Sequence, residues 1–73
     1  MPDKYDYASS IIGLIRQAAQ QTERGDRAGL QAAATLLRCA LADCQTALEL
    51  KTISQEDREW FESKRDHINA SLL

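Results

Sequence analysis

Residues 27–50 read RAGLQAAATLLRCALADCQTALEL, and this stretch decides the fold. Leu30, Ala34, Leu37, Leu41, Cys44 and Leu48 recur in steps of four and three, the spacing of a helix packed lengthwise on another. Ala33, Leu36, Ala40, Ala47 and Leu50 form a second apolar set beside that seam. Arg38, Asp43, Gln45, Thr46 and Glu49 leave only a narrow polar strip. A helix apolar over so much of its circumference needs cover from more than one side. Two neighbours in the same chain supply part of that cover, and the rest is expected from another chain.

Downstream, Lys51-Thr52-Ile53 reads as a turn and Ser54 as the N-cap of a helix over about 55–72. Glu56 and Asp57 in its first turn suit the positive end of the helix dipole, and Asp57 stands where a capping box places its partner. Trp60, Phe61, Ile68 and Leu72 supply its apolar stripe, while Arg58 falls on the solvated side. So short a turn makes these two helices an antiparallel hairpin. Upstream, Ile11, Ile15, Ala18 and Thr22 lie on one line, flanked by Ile12, Leu14 and Ala19. They predict a helix over about 8–24, starting between Asp6 and Ser9. Gly25 follows where a left-handed C-cap belongs, and Asp26 can cap the next helix. Arg24-Gly25-Asp26 also spells an integrin-binding tripeptide, but its cap-shaped context makes it a helix connection. Tyr5 and Tyr7 fall in an arm ahead of the first helix, where mobile tail contacts are the expectation.

The expected architecture is one all-α domain over residues 1–73. A short N-terminal helix precedes a long antiparallel hairpin, and a partner chain completes the core. Composition agrees. Hydrophobic residues are 44% and charged residues 27% of the 73, too apolar for intrinsic disorder and poor in strand formers, with valine absent. A chain of this length buries only about 60% of its unfolded surface, so its core has little margin.

Function is first bounded by what the sequence does not contain. Formal net charge is −2 with no concentrated basic face, which argues against nucleic acid. The excess acid sits in residues 53–73, five acids against three bases. The polar start Met1-Pro2-Asp3-Lys4 is unlike a signal peptide, and the Ile11–Ile15 run, broken by Gly13, is too short to span a membrane. A cytoplasmic location is therefore expected, without membrane association. Cys39 and Cys44 would point about 140° apart on a helix and sit roughly 8 Å apart along its axis, too divergent for a mutual disulfide. They read as small buried hydrophobes, and with His67 alone they do not make a zinc site. His67 has no serine or cysteine at a base-to-nucleophile spacing, and no phosphate loop or paired-carboxylate cleft is visible. The expectation is a protein that is not an enzyme and has no catalytic residues, metal or cofactor. Trp60 and Phe61 are adjacent and point about 100° apart, so one faces the core while the other lies at its edge as a possible partner anchor.

The stretch Leu36-Leu37-Arg38-Cys39-Ala40-Leu41-Ala42-Asp43-Cys44-Gln45-Thr46-Ala47-Leu48, a polar turn, then Gln55-Glu56-Asp57-Arg58-Glu59-Trp60-Phe61-Glu62-Ser63-Lys64 and an aliphatic end resembles the YscE-like needle co-chaperones of bacterial type III secretion. The resemblance covers about residues 30–72 and is one of sizes and periods. It implies a small cytosolic co-chaperone that pairs with a larger tetratricopeptide-like chaperone and helps keep a needle subunit soluble before export. Matched to the family's hairpin, the partner-binding positions would be Leu37, Leu41, Cys44, Leu48 and Trp60. A first helical segment longer than the family's is a departure. The alternative expectation is a homodimeric helical-bundle scaffold or regulatory adaptor unrelated to secretion.

Overall fold

The computed structural model describes residues 3–72. Met1 and Pro2 of the polar start, and Leu73, lie outside the described residues. Three helices, α1 (Lys4–Glu23), α2 (Arg27–Leu48) and α3 (Gln55–Leu72), account for the fold, with no strand among the described residues. The all-α class, the three helices and the α2–α3 hairpin match the sequence expectation.

The first helix is not short. It begins at Lys4 because Asp3 caps it: its carboxylate accepts from the Tyr5 and Asp6 backbone N–H groups at 3.0 and 3.1 Å. Asp6 returns the bond, accepting from the Asp3 N–H at 3.0 Å, so two carboxylates close a capping box. Tyr5 and Tyr7 are thus residues of the first helical turns, not of a tail, and Tyr7 packs against the core. At the other end of α1, Gly25 adopts φ 74°, the left-handed conformation that ends a helix without a Cβ penalty. Its N–H donates to the Thr22 carbonyl, and Asp26 accepts from the Gly29 N–H at 2.6 Å to start α2. The connection is as short as the sequence predicted.

The α2 helix stops two residues before the expected Leu50. The N–H groups of Glu49 and Leu50 donate to the Thr46 and Ala47 carbonyls, tightening the last turn. The Arg58 guanidinium donates to the Leu48 carbonyl at 3.3 Å, so Arg58 is half-buried against the end of α2 and not on the solvated side. Ser54 caps α3 as predicted, accepting from the Asp57 N–H at 3.1 Å. The Asp57 carboxylate does not complete a capping box; Lys4 of α1 takes it instead.

The core is built from Ile11 and Ala18 of α1, Ala33, Ala40, Cys44 and Ala47 of α2, and Phe61 and Ile68 of α3. The residues that α2 buries are mainly alanines. Its leucines flank them, with Leu37, Leu41 and Leu48 half-buried against the core and Leu30 53% exposed. The seam read from the sequence is therefore rotated. The buried line runs Gly29–Ala33–Ala40–Cys44–Ala47, taking its alanines from the set that had seemed secondary and only Cys44 from the expected seam. Small residues on that line let the flanking helices approach closely. The α2 helix lies in the middle, and α1 and α3 each pack on it more than on one another. The result is a flattened body of 41 × 24 × 14 Å.

Candidate interaction surface

Because α1 and α3 both run antiparallel to α2, they point the same way and leave a crease between them. The crease holds two hollows. The smaller, about 170 Å³, lies at the start of both helices between Tyr5 and Ala8 of α1 and Trp60 and Phe61 of α3, with the Lys4–Asp57 ion pair in its wall. The larger, about 400 Å³, lies further along, between Ile15, Ala19 and Thr22 of α1 and His67 and Ser71 of α3, with Leu37 of α2 in its lining.

Of the α1 residues that line the crease, Tyr5, Ala8, Ile15, Ala19 and Thr22 share one face, and Ile12, which lines neither hollow, completes their spacing by three and four, the register of a helix-pairing seam. Ala8 and Ile15 are half-buried, whereas Tyr5 is 69% and Ile12 45% exposed, two of the three exposed large hydrophobics among the described residues. On α3 the lining residues Asp57, Trp60, His67 and Ser71 fall into the same spacing once Lys64, which lines neither hollow, is counted between them, and this border is polar apart from Trp60. The crease thus pairs an apolar wall with a polar one, as a site for an amphipathic helix would.

Among the residues expected to bind a partner, Leu37 and Trp60 line this crease, one in each hollow. Trp60 is half-buried, edge-on to Phe61 at 5.0 Å and 89°, with the Lys64 ammonium 5.3 Å from its ring centroid. Phe61 is the core member of the pair at 2% exposure. Leu41 and Leu48 pack against the core instead of the crease. Cys44 is a correction: it is wholly buried inside this chain and presents no surface to another. Burial pushes its thiol up to about 11, the neighbouring Asp43 adding to the shift. Cys39, also expected inside, is exposed. Both cysteines are free thiols.

The sequence carried the α1 register, but a single stripe through Ile11 and Ala18 explained the helix without it. That stripe faces α2. The neighbouring one, through Ile12 and Ala19, takes Ile15 and Thr22 from the line first drawn through Ile11 and Ala18, and the start of the helix at Lys4 extends it to Tyr5.

The ion pair at the head of the crease fixes the start of α1 to the start of α3. The Lys4 ammonium on Asp57, assisted by the Ser54 hydroxyl, holds the Asp57 carboxyl below the usual carboxylate range. Asp57 in turn raises Lys4. Among the described residues, no cluster of His, Cys, Asp or Glu could hold a metal ion, and no helix is long and apolar enough to cross a membrane. No protein-family model, curated protein or solved structure matches this chain.

Proposed function

We propose that this chain is a small non-enzymatic helical adaptor that takes an amphipathic helix of a partner protein into the crease between α1 and α3. The observation that carries this reading is the heptad-spaced α1 stripe, whose Tyr5 and Ile12 the chain's own helices leave uncovered. Two hollows along one crease supply the recesses in which a partner's apolar side chains would sit. His67 and Ser71 share the larger hollow, but the Ser71 hydroxyl donates to the His67 backbone carbonyl at 3.0 Å and not to its imidazole.

The resemblance of residues 30–72 to needle co-chaperones supplies the partner. The chain would work in the cytoplasm beside a tetratricopeptide-like chaperone, helping to keep a type III secretion needle subunit soluble before export. The physical logic is that a subunit built to polymerise carries an apolar helix that must stay covered until export. Affinity purification of the tagged chain from its native host tests this. Recovery of a tetratricopeptide-like protein with a short filament subunit, lost in Ile12→Asp, is the expected result; repeated recovery of neither would overturn the secretion assignment. The same α1 stripe also allows a second reading, in which two copies pair through it as a homodimeric bundle. Molar mass in solution under reducing conditions separates the two.

A further inference from the structure

We infer that the crease is built for a partner helix carrying carboxylates on both flanks of its apolar stripe, and not for a second copy of this chain. The inference rests on the reading of the crease as a docking site and specifies the chemistry of its occupant.

The chain carries a net charge of −2, yet two cations, which line neither hollow, stand beside the middle of the crease by helical register. On the α1 side, exposed Arg16 stands one turn after Ile12 and three residues before Ala19, beside the apolar stripe. On the α3 side, Lys64 follows Trp60 by one turn, its ammonium held near the indole face, with His67 next along the same border. Neither Arg16 nor Lys64 enters an ion pair among the described residues. The carboxylate that lines the crease, Asp57, is already held by Lys4. Glu56, one turn before Trp60, and Glu23, one turn beyond Ala19, mark its two ends, with those cations between them. A helix lying between α1 and α3 would have a cation beside each flank.

The same charges oppose self-pairing. Two α1 stripes packed antiparallel about the midpoint of Ile12 and Ile15 would bring the two Arg16 residues within about 8 Å of each other along the axis. That is inside the screening length of about 10 Å at 0.1 M salt. The Lys64 residues would face the same seam. Like charges across an apolar seam are a recognised barrier to the wrong partner.

The test uses synthetic helical peptides of about 21 residues that share one leucine–alanine heptad stripe and lack tryptophan. Flanking positions are all Glu, all Gln or all Lys. Binding to the full chain is followed by the fluorescence of Trp60, its sole tryptophan. The Glu peptide should bind about tenfold more tightly than the Gln peptide, with the gap closing as salt rises, and the Lys peptide more weakly still. Arg16→Glu combined with Lys64→Glu should reverse the order, with helicity checked by circular dichroism. The salt series on the unmodified chain gives the same answer if that variant fails to fold. Equal binding of the Glu and Gln peptides, abolished by Ile12→Asp, would overturn the charge inference and leave the docking reading standing. Failure of all three peptides would overturn both. A stable dimer of the chain that Ile12→Asp dissociates would overturn the choice of occupant.

Discussion

Replacing Gly29 by alanine should destabilise this protein, although helix propensity alone predicts the reverse. Alanine is favoured over glycine within a helix by about 1 kcal/mol. Gly29 is the third residue of α2, buried where the end of α1 crosses over it. A Cβ there would lie 2.5 Å from the Gln21 carbonyl oxygen, 2.9 Å from the Asp26 carboxylate and 3.1 Å from the Arg24 Cβ. The Gln21 carbonyl is fixed, because it accepts the Arg24 N–H that closes α1, so it cannot give without moving the end of that helix. The Asp26 oxygen is the atom that caps α2 through the Gly29 N–H itself. Overpacking of this kind costs about 1–3 kcal/mol, and a loosened cap costs about 1 more. After the propensity gain is subtracted, a net loss of about 1–3 kcal/mol remains. In a domain of this size that lowers Tm by roughly 5–20 °C. Gly13 is the matched control. It lies within α1, and a Cβ there would meet nothing within 4 Å. Gly13→Ala should therefore gain about 0.5–1 kcal/mol and raise Tm by a few degrees. Thermal and urea unfolding followed by far-ultraviolet circular dichroism read both. A Gly29→Ala protein that melts at or above the parent temperature would refute the close approach of α1 to α2 at this corner.

Other consequences follow from the same packing. Cys39 should react readily with a thiol reagent at pH 8, while Cys44, buried and with its thiol raised to about 11, should react only as fast as the protein opens; equal rates in the folded chain would contradict the core assignment. Phe61→Ala removes a side chain that is 2% exposed and should cost about 3–5 kcal/mol, a large share of the stability of so small a domain, in a urea titration. Arg58→Ala removes the donor to the Leu48 carbonyl and should cost about 0.5–1.5 kcal/mol by the same titration, where a solvated arginine would give nothing. The Lys4–Asp57 pair should make stability pH-dependent at both extremes. Asp57 is lowered, so its contribution is present above about pH 4 and fades as pH falls through its folded value; Lys4 is raised, so its contribution is present below about pH 10 and fades as pH rises through its folded value. Asp57→Asn should flatten the acid limb, and an unchanged acid profile would show that the pair does not hold the two helix starts together.

Local signals proved legible where they rest on backbone chemistry confined to a few residues. Gly25 and Asp26 marked the α1–α2 corner, and Ser54 marked the start of α3, because each satisfies backbone groups within three or four positions of itself. The start of α1 was missed for a related reason. A capping box normally ends in Glu or Gln, and here two aspartates, Asp3 and Asp6, do the work. Long-range partners could not be read in this way. Nothing in the sequence near Asp57 or Arg58 indicates that one meets Lys4 on the far side of the chain and the other the last carbonyl of α2. The crease was illegible for the same reason, since its two borders come from helices that are not consecutive.

The apolar content of α2 first suggested a missing partner, yet among the described residues two of the three exposed large hydrophobics, Tyr5 and Ile12, lie on α1. A helix can be apolar around most of its circumference and still be satisfied by two neighbours if much of that apolar content is alanine. Ala33, Ala40 and Ala47 bury completely while demanding little area, and α1 and α3 are nearly as long as the helix they flank. What the count of apolar residues on α2 concealed was that α1 carries bulky side chains on two faces. One face, through Ile11 and Ala18, is spent on α2. The other packs against the core through Ala8 and Ile15 but leaves Tyr5 and Ile12 exposed. Isolated exposed hydrophobics are ordinary on any protein surface. What separates Tyr5 and Ile12 from that background is their common register with Ala8, Ile15 and Ala19 beside two hollows, the arrangement on which the proposed docking rests. Leu30, exposed just beyond the start of α2, supplies the contrast. It has the side chain but not the register, so Leu30→Gln should leave peptide binding unchanged where Ile12→Gln weakens it by about tenfold, the loss expected when a well-packed interface side chain is replaced. If both substitutions weaken binding equally, the docking surface extends around the end of the bundle and the α1 register is not what defines it.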